Sequence, residues 1–257
     1  METIITITPI ETSSSNVTII PMSLLHNKIT LLIPFYNESN RIFNTLKLMT
    51  QVKNLHEIIC VDDGSQDLNY KKVKKKYPQI RVLRLKKNQG KSSAILHGLI
   101  SVTTEWVFFL DADLKNLQIA EIEKAVKTIL KANAKEKKTD MLILRRSNYS
   151  TWVTTIRHDI LMSGERIMRT EDALAVFKNP PTGYQLEVAI NLYMLNQQKK
   201  CYWQQTSLAN SYKFTKWSLL ESLEKYKDEV SGYMGYAGPI NYFKQLAQFC
   251  RDEHPEF

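Results

Sequence analysis

What the chain has little of narrows it first. Only three of its 257 residues are cysteines, Cys60, Cys201 and Cys250, odd in number and far apart. That pattern argues against a disulfide framework and a zinc site, and fits a reducing compartment. No apolar run approaches the roughly 18 residues that a spanning helix needs. The basic start and unbroken apolar core of a secretory signal are missing, so a cytoplasmic protein is expected. Acidic residues are absent between Lys71 and Lys91, where ten Lys or Arg residues stand. This run concentrates the formal charge of +9 and suits a polyanion, an anionic membrane surface, or simply a solvated helix and strand edge. Stacking residues are scarce there, only Tyr70 and Tyr77 being near, which argues against a nucleic-acid partner. No internal repeat is present.

The remaining composition, 43% hydrophobic and 24% charged, is that of a soluble globular chain able to bury a sizeable core. Residues 1–27, rich in Thr, Ser and Ile without periodicity, are expected to form a poorly ordered arm. The core should begin at Lys28 with a buried strand, Ile29–Ile33, stopped by Pro34. A helix capped by Asn37 or Ser39 should follow, with Ile42, Leu46 and Met49 on its apolar face. Further strands are expected at His56–Val61, Ile80–Leu85 (alternating, hence near an edge), Trp106–Leu110 and Asp140–Leu144. Helices should fall between them, one lysine-rich and capped by Asp67, one opening at Asn88–Lys91, one over Leu117–Ala132.

Strands alternating with helices give the fold expectation: α/β, a doubly wound, mostly parallel sheet with a C-terminal helical extension. After Leu144 few marks of regular structure remain until a helix over Thr182–Tyr193 and an extended stretch from Tyr202 to Phe214. Two amphipathic helices should finish the chain, one striped by Leu219, Leu223, Tyr226 and Val230. The other starts at Pro239 and carries Tyr242, Phe243, Leu246 and Phe249.

Three strands end in polar clusters, Tyr36-Asn-Glu38, Asp62-Asp63 and Asp111-Ala-Asp113. In an open α/β sheet such ends line one ligand crevice. Residues two apart on an extended chain point the same way, so Asp111 and Asp113 can converge on one hard divalent cation, Mn²⁺ or Mg²⁺. The bland reading of Asp-Ala-Asp is a solvated turn after a strand.

Ile33-Pro-Phe-Tyr-Asn-Glu38, Val61-Asp-Asp-Gly-Ser-Gln-Asp67, Asn88-Gln-Gly-Lys91 and Leu110-Asp-Ala-Asp113, in that order, resemble the family-2 glycosyltransferases of the GT-A fold. Ser163-Gly-Glu-Arg-Ile-Met-Arg169 and Gly183-Tyr-Gln-Leu-Glu187 resemble the branch that makes dolichyl- or polyprenyl-phosphate sugars, where an aromatic usually stands in place of Glu165. The resemblance implies a GT-A domain over 28–215, with a nucleotide-sugar half (28–145) and an acceptor half (146–215), ahead of the C-terminal helices at 216–257. It implies inverting transfer from a nucleotide-diphospho-sugar to a lipid phosphate. Asp62 or Asp63 would bind base and ribose, and the Pro34–Glu38 turn, with Tyr36, would wall the nucleotide pocket. Asp111 and Asp113 would hold the metal, with Ala112 between them at the donor, and Lys91 would meet phosphate. Lys115 stands where such enzymes often have Gln, and an ammonium cannot be a metal ligand.

Two acceptor classes stay open. An anionic lipid phosphate needs no base and would be gripped by arginines: Arg145, Arg146, Arg157 and Arg166 are the candidates. The basic run and the aromatic C-terminal helices would then hold the protein at a membrane surface. A hydroxyl acceptor would need a carboxylate base, for which Asp172 and Glu187 are the candidates. An inactive nucleotide-binding module is the remaining alternative.

Overall fold

The computed structural model describes residues 24–38, 40–134, 138–147, 151–178, 181, 185–209 and 230–255. Five strands and four helices alternate first: β1 (Leu25–Phe35), α1 (Arg41–Met49), β2 (Glu57–Asp62), α2 (Asn69–Lys76), β3 (Arg81–Arg84), α3 (Lys91–Leu99), β4 (Thr104–Phe109), α4 (Ile119–Ala134) and β5 (Met141–Arg145). Then come α5 (Thr151–Thr155), α6 (His158–Leu161), β6 (Arg166–Arg169), α7 (Thr170–Val176), α8 (Gln185–Asn196) and β7 (Cys201–Gln205). A helical stretch at 230–237 leads into α9 (Pro239–Gln248).

One sheet carries the order β3-β2-β1-β4-β6-β5-β7. Only β6 runs against its neighbours, pairing antiparallel with β4 and with β5, while the other pairs are parallel. The expected α/β sheet is therefore the observed one, with β3 at an edge. Alternation along the central strands feeds two cores. Ile29, Leu31 and Ile33 of β1, with Trp106 and Phe108 of β4, face α1, α2 and α4. Leu32, Val107 and Phe109 face α3, α7 and α8 on the opposite side. At roughly 25 cal/mol per Å² of apolar surface, these two layers are the main stabilising term.

β1 departs from expectation at both ends. It begins at Leu25, inside the stretch expected to be an arm; residues 1–23 lie outside the described residues. It also runs through Pro34 to Phe35. Leu32 C=O accepts from Leu110 on the β4 side, and Phe35 C=O accepts from Asp63 on the β2 side. Pro34, two residues beyond Leu32, thus faces β4 where the ladder has already ended at Leu32–Phe109, and its missing N–H costs nothing.

The stretch after Leu144 is more regular than its composition suggests, for it supplies β6 and α7 to the middle of the molecule. The C-terminal part is not a detached extension. Tyr242 of α9 is buried and bonds His158 at 2.6 Å, and Arg157 donates to the carbonyls of Leu246, Phe249 and Cys250. Beyond α9 the chain pairs with the β7 edge, Trp203 N–H donating to Asp252 and His254 N–H to Trp203. Leu219, Leu223 and Tyr226 lie outside the described residues. Among the described residues no helix is long and apolar enough to cross a membrane.

Candidate active site

Every parallel strand ends on the same side of the sheet, which gathers the loops after β1, β2, β4 and β5 into one crevice. The first three are stitched together. Asn37, expected as a helix cap, sits at φ 50°, takes Ser65 Oγ as acceptor for its N–H and accepts the Gln66 N–H on Oδ1, each at 2.9 Å. Asp62 accepts the Ser65 N–H at 2.9 Å and lies 3.2 Å from Arg84. Asp63 accepts the N–H groups of Gln89 and Gly90 on separate oxygens, both at 2.8 Å. Gly64 at φ 71° permits this closeness, since a Cβ there would lie 2.5 Å from the Lys87 carbonyl carbon. Asp62 and Asp63 are buried within these loops, while Tyr36 is exposed at the rim.

The floor of the crevice is a chain of alternating charges. Glu187 of α8 meets Lys91 at 3.2 Å, and Lys91, at the start of α3, meets Asp111 at 2.8 Å. The other Asp111 oxygen lies 2.9 Å from Arg146, which is gripped in turn by Glu165 at 2.6 Å. Burial disfavours a charged Asp111, but Lys91 and Arg146 outweigh it and hold the carboxyl far below the usual range. Burial likewise opposes the Lys91 charge, and Asp111 and Glu187 overturn that to raise its pKa. Glu38, paired with Arg41 at 2.8 Å, is shifted upward by burial and then by repulsion from Asp113 and Asp111. Glu38 thus feels both Asp113 and Asp111, whose oxygens are of the kind a hard divalent cation takes. Among the described residues, however, no three His, Cys, Asp or Glu side chains are gathered closely enough to hold one, and Asp111 is already matched by Lys91 and Arg146.

Several expected residues are committed to other partners, and Asp172 lies away from the crevice. Arg166 is 1% exposed, and its guanidinium donates to Ser163 C=O, Leu161 C=O and Asn191 Oδ1 at 2.6–2.7 Å, so it holds the α6–β6 turn while lining a small cavity with Lys91, Gly164 and Glu187. Arg157 is likewise spent on carbonyls in the last turn of α9 and just after it. Asp172 is at the opposite end of the strands from the crevice. Because β6 is antiparallel, Arg166 pairs with Phe109 near the crevice while Arg169 pairs with Trp106 at the far end, and Asp172 follows Arg169. There it bonds Tyr193 and Lys199, each at 2.9 Å. Arg145, the last residue of β5, pairs with Asp159 and lies over Trp203 at 5.0 Å. Lys115 is exposed, and its backbone bridges to Ala209.

Ser65 and Gly164 also line the crevice loops, and Glu165, where relatives usually carry an aromatic, is the buried partner of Arg146. Gly164 was legible as the glycine of Ser-Gly-x-Arg. A Cβ on it would lie 2.9 Å from Lys91 Nζ.

A doubly wound sheet with carboxylates massed at its central strand ends defines an α/β protein that binds its ligand at that edge. Residues 30–183, more than half of the chain, match the model of glycosyl transferase family 2, and the chain belongs to that family. It is 34% identical over 118 residues to a dolichyl-phosphate beta-glucosyltransferase of Trichomonas vaginalis, covering 40% of this chain and 35% of that protein. It is also 34% identical over 98 residues to an undecaprenyl-phosphate 4-deoxy-4-formamido-L-arabinose transferase of Proteus mirabilis, covering 35% of this chain and 30% of that one. The match thus spans about a third of these relatives' length. Among solved structures, glucosyl-3-phosphoglycerate synthase of Mycobacterium tuberculosis, in complex with Mn²⁺, UDP-glucose and phosphoglyceric acid, superposes with a TM-score of 0.60. That likeness, at 16% identity over 86% of this chain and 80% of the other, is one of fold.

Proposed function

We propose that the protein transfers a sugar, with inversion, from a nucleotide-diphospho-sugar to a polyprenyl phosphate. Family membership and the relatives that act on dolichyl and undecaprenyl phosphates support the reaction class. One observation favours a phosphate over a hydroxyl acceptor: Asp172, the base that a hydroxyl would need, stands at the wrong end of the strands. Glu187 is at the crevice, but its carboxylate is ion-paired with Lys91 at 3.2 Å. A phosphate monoester brings its own negative charge and needs no base.

In this reading an acceptor phosphate oxygen attacks the anomeric carbon, and the bond to the diphosphate breaks with its electrons leaving on the nucleoside diphosphate. The stitched loops carrying Tyr36, Asp62 and Asp63 form the nucleotide side. Asp111 and Asp113 would hold a divalent ion, Mn²⁺ or Mg²⁺, that neutralises the leaving diphosphate. Lys91 places a cation and a helix N-terminus at the same charge. Of the candidate arginines, Arg145, at the crevice end of β5 and partly exposed, can meet the acceptor by leaving Asp159, whereas Arg146 is committed to Glu165 and Asp111.

The membrane side is assigned to the edge formed by α2 and β3, where every Lys and Arg from Lys71 to Lys87 is exposed. The aromatic stripe of α9 is largely committed inward, Tyr242 and Phe249 being buried and Phe243 exposed.

Nucleoside diphosphate release from UDP- and GDP-sugars with Mn²⁺, comparing farnesyl phosphate with farnesol, tests the reading. Release with the phosphate alone is expected. Release with farnesol alone would establish a hydroxyl acceptor, and none with any donor or acceptor would leave a nucleotide-binding module.

A further inference from the structure

Glu165 has no exposed surface, and a buried carboxylate stays charged only where it is matched. Its match is Arg146, itself 4% exposed, which donates from Nε to one oxygen and from Nη2 to the other, both at 2.6 Å. Ser163 Oγ donates to the Leu144 C=O at 2.8 Å and lies 3.1 Å from the same carboxylate, and the Glu165 C=O accepts the Leu144 N–H at 2.9 Å, so the pair is anchored to β5. A guanidinium gripped by two parallel bonds has one orientation. Here that orientation aims Nη2 at Asp111 Oδ2, 2.9 Å away, while Lys91 holds Oδ1 at 2.8 Å. The plane of the Asp111 carboxylate is thereby set from beneath. Stability alone does not call for this arrangement, since a buried ion pair gains little over an apolar pair of the same volume.

We infer that Glu165 is a positioning residue: through Arg146 it fixes the Asp111 carboxylate in the orientation that an incoming nucleotide-diphospho-sugar meets. Glu165 itself, wholly buried, touches no ligand. The inference rests on the proposed donor chemistry for its purpose, but the orientation it describes exists without any substrate.

Carboxyl ¹³C NMR of the full chain tests it, with the Asp111 resonance identified by its loss in Asp111→Asn. Glu165→Gln should shift that resonance, and should cut kcat about tenfold while the donor KM moves less than about threefold. Because Glu165→Gln leaves buried Arg146 with only Asp111, shared with Lys91, as counter-charge, the double variant Glu165→Gln/Arg146→Met removes both charges of the buried pair and guards against simple unfolding. It should be no slower than Arg146→Met alone, because Glu165 acts only through Arg146. An Asp111 resonance unmoved by Glu165→Gln overturns the inference, and so does an additive loss in the double variant. If the resonance moves while no donor is ever turned over, the positioning stands and the proposed reaction fails instead.

Discussion

Gly164 lies against Lys91 so closely that a Cβ added to it would sit 2.9 Å from Lys91 Nζ and 3.2 and 3.3 Å from the two Asp111 oxygens. The α6–β6 turn therefore forms one wall of the ion-paired floor, and no side chain is tolerated there without moving the pair. The nearest atom is the end of a flexible lysine, so the fold can absorb a methyl group while the site cannot. Gly164→Ala should leave thermal stability within a few degrees and lower turnover about tenfold. Equal turnover would show that the Lys91–Asp111 geometry is not used.

Asp113 offers a second test of the floor. It follows β4 at the crevice, half-buried, and its charge pushes the Glu38 pKa upward. Asp113→Ala should keep the fold and weaken Mn²⁺-dependent binding of nucleoside diphosphate about tenfold or more, one charge-assisted contact being worth roughly 1.5–3 kcal/mol. Calorimetry with and without metal measures it. Unchanged affinity would move the metal elsewhere.

Much of this site is legible in the sequence for a physical reason. Parallel strands buried on both faces read as apolar runs, and Cys60-Val-Asp62 and Phe109-Leu-Asp111 mark where such runs meet the crevice. β6 hides because its four residues begin and end with arginine. Arg166 is buried all the same, since carbonyls and Asn191 satisfy its guanidinium. With β6 unseen, its direction is unseen too, and nothing in Thr170-Glu-Asp172 reveals that the segment starts from the far end of the strands. The charge chain from Glu187 to Glu165 spans 96 residues between Lys91 and Glu187 alone, beyond the reach of any local pattern.

Arg166 accordingly predicts a folding defect rather than a binding one. Arg166→Ala leaves the Ser163 carbonyl and Asn191 Oδ1 without their buried donor, the Leu161 carbonyl keeping the Asn191 amide, and costs on the order of 3 kcal/mol. Chemical denaturation should show that loss, and full stability with impaired transfer would return Arg166 to the acceptor.

His158 gives a pH dependence. Burial lowers its pKa to about 4 from 6.5, and its ring meets the Tyr242 hydroxyl. The unfolded chain therefore binds a proton between pH 6.5 and 4 that the folded chain does not, so stability falls as pH drops through that window. Above it the contribution is flat. The loss reaches about 3 kcal/mol at the lower end, and it should be absent in His158→Gln when urea midpoints are compared at two pH values.

Asp172 decides between the two acceptor chemistries. The carboxylate is 2% exposed and held by the Tyr193 hydroxyl and Lys199, at the end of the strands opposite the crevice. A base must reach the proton it removes, and no strand brings Asp172 toward Asp111. Asp172→Asn keeps the shape and removes the charge, so transfer should stay within about threefold of the native rate while stability drops by roughly 1–3 kcal/mol. Tyr193 supplies an internal control. Its hydroxyl is pushed up to about 12, by burial and then by the bond to Asp172, so its ionisation should move downward in the same variant. A dead enzyme with native stability and an unmoved Tyr193 would place Asp172 at the reacting atoms. The acceptor would then be a hydroxyl.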